Sequence, residues 1–98
     1  MKWELRECGD GFKARKITGP SAYIRRVCAW PTEGTAPGPK YEINYKGLAI
    51  ARICFENKGA SVTSLEMCKA FPEISDLDLV EIALRISNLR CAAAASLN

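Results

Sequence analysis

Histidine is missing altogether from these 98 residues, and with it the imidazole on which Ser-His and Cys-His nucleophile pairs depend. An apolar run long enough to cross a bilayer, about 20 residues, is missing too. The longest uncharged stretch near the C-terminus, "CAAAASLN", is short and weakly apolar. The opening "MKWELRE" carries acidic residues within its first few positions and has no apolar h-region, so no signal peptide is expected and the chain reads as cytoplasmic. Neither glycine pattern that cradles phosphate, G-x-x-x-x-G-K-[ST] or G-x-G-x-x-G, occurs; "CGDGF" has its two glycines in a hairpin setting. The five cysteines, Cys8, Cys28, Cys54, Cys68 and Cys91, lie 14 to 26 residues apart with no C-x-x-C pair, so no metal site is expected. Their odd number argues against a complete disulfide framework. They read as buried free thiols of a reduced compartment.

What is present is a globular composition, 48% hydrophobic and 26% charged, in a chain of the length that builds one domain, residues 1–98. The net charge of +3 is unevenly spread: residues 1–49 hold nine Lys/Arg against five Asp/Glu, and residues 50–98 hold five against six. A basic front half permits contact with nucleic acid or an acidic protein surface, though the excess is ordinary in size.

Residues 1–56 read mainly as strands. "WELRECGDGFKARKIT" places two extended segments around Gly9-Asp10-Gly11, where glycine supplies the positive φ of a tight turn. "AYIRRVCAW", Ala22 to Trp30, is rich in β-branched and aromatic residues and makes a third strand. "YEINYKGLAIARICF" alternates Tyr41, Ile43 and Tyr45 on one face, turns at Lys46-Gly47 and continues to Phe55; "LAIARICF" could also pass for a short helix.

Residues 61–95 read as helical. Thr63 with Glu66 fits a capping box for a short helix from Ser64 to about Ala70, ended by Pro72. Ser75 caps a second helix with Asp76 and Asp78 in its first turn, and Leu79, Ile82, Ile86 and Leu89, with Val80, Ala83 and Leu84 alongside, make one broad apolar stripe. The expected fold is therefore α+β: a small antiparallel sheet of four to five strands in hairpins, followed by two C-terminal helices packed on it.

Candidate chemistry is sparse. Glu73, Asp76, Asp78 and Glu81 crowd a helix N-terminus, where solvated capping accounts for them without catalysis. No catalytic residue, metal or cofactor is expected. The rhythm of the two helices allows a helix-turn-helix reading, but Asp76, Asp78 and Glu81 would meet the phosphates with the wrong sign, leaving Arg85 and Arg90 to compensate. A sheet-based alternative rests on Lys13, Arg15, Lys16, Arg25 and Arg26, interleaved with Phe12, Tyr23 and Trp30 as on single-strand-binding sheets. Lys13 and Arg15 share one strand face with Ile17, and Phe12 and Lys16 share the other, so the five cations do not form one stripe.

The oddest stretch is "PTEGTAPGPK", 31–40, in which five of ten residues are Gly or Pro. Such backbone donates few hydrogen bonds and stays on the surface in partly polyproline-like conformation. Proline has already removed part of its ordering entropy, so Trp30, Pro31, Pro37, Pro39 and Lys40 are candidates for docking another protein. A prolyl isomerase is a further candidate partner there.

Taken over its full length, with the start "MKWELRECGDGFKARKITGPSAYIRRVCAW", the proline loop and the C-terminal helix, the chain resembles a small early protein of a temperate phage, and more specifically the anti-RecBCD proteins of lambdoid phages. That resemblance implies a non-enzymatic accessory protein in the host cytoplasm that binds the RecBCD helicase-nuclease through its RecC subunit. It implies an altered response to Chi sequences that favours phage recombination, with a host prolyl isomerase as an additional partner. No direct DNA binding and no membrane partner are expected; the alternative is a small nucleic-acid-binding regulator.

Overall fold

The computed structural model describes residues 2–27, 39–56 and 59–96. Gly9-Asp10-Gly11 does make a hairpin: β1, Trp3–Cys8, turns into β2, Gly11–Lys16, with Cys8 opposite Gly11. Gly9 sits at φ 62°, as the first position of a type II′ loop requires. Gly11 is needed for a different reason, since a Cβ there would run into the carbonyl oxygen of Ile24 on the following strand.

The third strand, β3, is Ser21–Val27; the remainder of the expected strand, through Trp30, falls outside the described residues. β4, Lys40–Tyr45, and β5, Leu48–Glu56, are joined by Lys46-Gly47 with φ values of 53° and 80°, the pair of positive values a type I′ turn demands. "LAIARICF" is thus strand and not helix. Each strand pairs antiparallel with its neighbour in sequence.

Two expectations need correction. Among the described residues the sheet has six strands, because Gly59–Ser64 forms β6 against β5, so residues 61–64 are not helical. One α-helix follows, not two: α1, Asp76–Ser96. Thr63 lies in β6, and the stretch expected as a first helix is a 3-10 turn, Glu66–Ala70, preceded by Leu65, which makes no side-chain cap. The helix-turn-helix arrangement therefore does not form. The physical reason is that β5 presents a free edge, and pairing with it satisfies the backbone of residues 59–64 more fully than an isolated helical turn can.

The capping box is one helical start further on. Ser75 Oγ accepts the Asp78 N–H at 3.1 Å, and Asp78 Oδ2 accepts the Ser75 N–H at 2.8 Å. From there α1 crosses one face of the sheet. Near its start Asp78 and Glu81 touch Trp3 of β1, and near Arg90 the guanidinium lies 4.9 Å from the Phe55 ring of β5.

The core is the layer between helix and sheet. Trp3, Ile24, Ile43, Ile50 and Ile53 from the strands meet Leu79, Ile82 and Ile86 from α1, all fully buried. Phe12, Tyr41 and Phe55 run across the same face, with ring centroids 5.9 and 5.7 Å apart. The apolar stripe of α1 is narrower than expected: Val80 and Leu84 are 45% and 53% exposed, because the sheet takes only the side of α1 that carries Leu79, Ile82, Ala83 and Ile86. No described helix is long and apolar enough to cross a membrane.

Candidate recognition surface

Strand parity sends the alternate side chains to the opposite face of the sheet, away from α1. The register builds that face row by row. Glu4 lies beside Arg15 and Ser21; Arg6 lies beside Lys13, Tyr23 and Asn44; Arg25 lies beside Glu42, Arg52 and Thr63. Over β1, β2 and β3 this face is open, with Arg6, Lys13, Arg15, Tyr23 and Arg25 all exposed. Toward β4 and β5 it closes, since Lys40 and Cys54 are buried.

Its charges are incompletely balanced. Arg25 reaches Glu42 at 3.3 Å, and Arg15 lies 3.8 Å from Glu4, both pairs at or near the surface where such contacts contribute little. Among the described residues Arg6 and Lys13 have no ion-pair partner, although each is the other's direct cross-strand neighbour. Like charges placed directly opposite destabilise a sheet. A depression of about 420 Å³ lies among Glu4, Leu5, Arg6, Lys13, Arg15 and Ser21. Beside it the Tyr23 hydroxyl donates to Cys8 Sγ at 3.4 Å, and that bond pushes the phenol above its ordinary pKa. Cys8 is exposed, which corrects the expectation of buried thiols for this residue: it closes β1 at the hairpin turn. Cys54 and Cys68 are buried, and burial raises the Cys68 pKa.

The five basic candidates are divided between the two faces. Lys13, Arg15 and Arg25 share the open face; Arg26 has the parity of Ile24 and stays exposed at the end of β3. Lys16 turns toward α1, where its Nζ meets Asp78 Oδ2 at 3.2 Å. Of the proline-loop candidates, Trp30, Pro31 and Pro37 fall outside the described residues. Pro39 is half-buried and its carbonyl accepts the Phe55 N–H at 3.0 Å, while Lys40 is built into β4 and 7% exposed. Sequence reasoning missed Arg6. Its signal was available, because Arg6 mirrors Lys13 across the hairpin centred on Gly9-Asp10.

The acidic cluster is not solvated capping throughout. Asp78 is buried, accepts the Trp3 indole N–H at 2.9 Å and faces Lys16. Burial pushes its pKa up, but the Ser75 N–H, the Trp3 indole and Lys16 outweigh that and hold it at about 2. Glu81 accepts the Trp3 backbone N–H at 2.7 Å, and Glu73 accepts the Tyr45 hydroxyl at 3.0 Å. These carboxylates fasten α1 and the turn before it to the sheet. They belong to the fold.

Compared with known proteins, the chain matches no family model, no curated protein and no solved structure.

Proposed function

We propose that this chain is a non-enzymatic binding protein that presents the open face of its sheet to an acidic surface of a larger host complex. The complex is the RecBCD helicase-nuclease of the bacterial cytoplasm, engaged through RecC so that its Chi response shifts in favour of phage recombination. The identity of the complex comes from the full-length resemblance of the sequence to the anti-RecBCD proteins. The observation that carries the binding reading is the cross-strand pair Arg6 and Lys13, without an ion-pair partner among the described residues and set beside Arg15 and Arg25 on one exposed surface. An acidic surface that docks there relieves the repulsion between the two cations. The reading includes a host prolyl isomerase as a second partner, acting at Pro31, Pro37 or Pro39.

A second reading is supported by Tyr23, 43% exposed and directly beside Lys13: an aromatic ring flanked by cations also suits single-stranded nucleic acid. One experiment separates the two. The tagged protein and its Arg6→Ala/Lys13→Ala variant are used to capture complexes from bacterial lysate, and the purified protein is titrated with single-stranded and duplex DNA at low salt. Co-purification of RecBCD by the parent and not by the variant, without binding to free DNA, supports the first reading. Salt-steep binding of single strands by the isolated protein, with no complex captured, supports the second.

A further inference from the structure

The two outer strands of the sheet are protected very differently. On β1 the Ile17 N–H donates to the Lys2 carbonyl at 2.9 Å, so Lys2 and every second residue after it face β2, and Trp3, Leu5 and Glu7 aim their backbone groups outward. The outward Trp3 N–H is taken by the Glu81 carboxylate, and the strand carries Glu4, Arg6 and Glu7. A covered donor and a row of charges are standard defences of a sheet edge.

β6 has neither. The Leu65 N–H donates to the Ile50 carbonyl at 2.8 Å, so Leu65, Thr63 and Ser61 face β5, and the outward positions are Ala60, Val62 and Ser64. The sequence "GASVTS" holds no charge and no proline, and all of it is exposed except the half-buried Val62. It is also nearly symmetrical about Val62. If β6 meets its own copy antiparallel, Val62 lies opposite Val62, Ala60 opposite Ser64, and Ser61 opposite Thr63 on the open face. Small neutral residues then meet their like on both faces, and Ser61 and Thr63 are placed to hydrogen-bond across the seam. The exposed cations Arg6, Lys13, Arg15 and Arg25 sit on β1 to β3, at the far side of the sheet from this seam, so two copies join where their charge is least.

We infer that β6 is a self-association edge, through which two copies of this chain join their sheets into one twelve-stranded antiparallel sheet about a two-fold axis at Val62. About six backbone hydrogen bonds form across the seam, and the interface is of the self-complementary kind that two-fold dimers use. The inference is independent of the partner proposed above.

Sedimentation equilibrium of the full chain, from about 5 to about 500 μM, tests it. The wild type is expected to convert reversibly from monomer to dimer across that range. Ala60→Pro removes an outward N–H and leaves the β5–β6 ladder its own donors, so it is expected to weaken the dimer at least about tenfold. A charge pair guards against a misfolded proline variant. Ser61→Lys/Thr63→Lys and Ser61→Glu/Thr63→Glu are each expected to be monomeric alone and to form a mixed dimer when combined. A wild type that stays monomeric at every concentration overturns the inference, as does a dimer that survives these substitutions or a mixture that fails to associate.

Discussion

The two faces of this sheet are made from the same six strands and obey opposite rules. Where charge is buried against α1 it is compensated: Asp78 is buried, and its oxygens are met by the Ser75 N–H, the Trp3 indole and the Lys16 ammonium. On the open face, Arg6 and Lys13 stand side by side without a counter-ion among the described residues. Water makes the difference, since it solvates two neighbouring cations for a small residual repulsion and has little access to the carboxylate of Asp78. The covered face therefore records what the fold needs. What the open face carries is left over from folding, and is where a binding function has room to sit.

The comparison breaks most severely at the centre of the covered face. Ile43→Ala empties a fully buried position between Ile24 and Ala51 and is expected to cost about 3 to 4 kcal/mol in urea or guanidinium unfolding. Lys13→Ala, on the next strand but one and facing the other way, is expected to stay within about 0.5 kcal/mol of wild type. Equal losses at the two positions would remove the distinction between the faces.

Asp78 gives the next largest effect and a pH signature. Its folded pKa of about 2 lies below the ordinary 3.8, so its stabilisation is fully present above the unfolded value and is lost as pH falls toward 2. Between pH 5.5 and pH 2 that amounts to roughly 2 kcal/mol from this one group. Asp78→Asn is expected to flatten that part of the stability profile. Denaturant midpoints measured for both proteins across the interval check it, and an unchanged slope would mean that Asp78 is not held as its contacts indicate.

These two faces were unequally legible in the sequence. In "GFKARK" and "SAYIRRV" the alternation of apolar and charged residues separates the faces without any coordinates, because a half-buried strand has a period of two. In "GASVTS" almost every residue is small or polar, so no pattern announces a strand; β6 exists because β5 offers it a ladder, and a long-range partner is invisible to local propensity. Asp78 was misread for a related reason. Its neighbours Glu73, Asp76 and Glu81 look like a solvated cluster, and the demand for a buried acceptor comes from Trp3, 75 residues away. The Ser75 capping position was a sounder guide, since its chemistry is completed within one helical turn.

The smallest effect is the sharpest test, because stability and binding should move in opposite directions. Lys13 faces Arg6 on one side and Tyr23 on the other, so Lys13→Glu turns a repulsive cross-strand pair into an attractive one. The variant is expected to gain about 0.5 kcal/mol in equilibrium unfolding, and the gain should shrink as salt is raised from about 0.01 to about 1 M. If the open face recognises an acidic partner, the same change places a carboxylate at its centre and should abolish capture of the host complex while the protein becomes harder to unfold. A variant more stable and fully able to bind would show that the cations of β1 and β2 take no part in recognition, and a variant less stable would show that Arg6 and Lys13 were not in conflict.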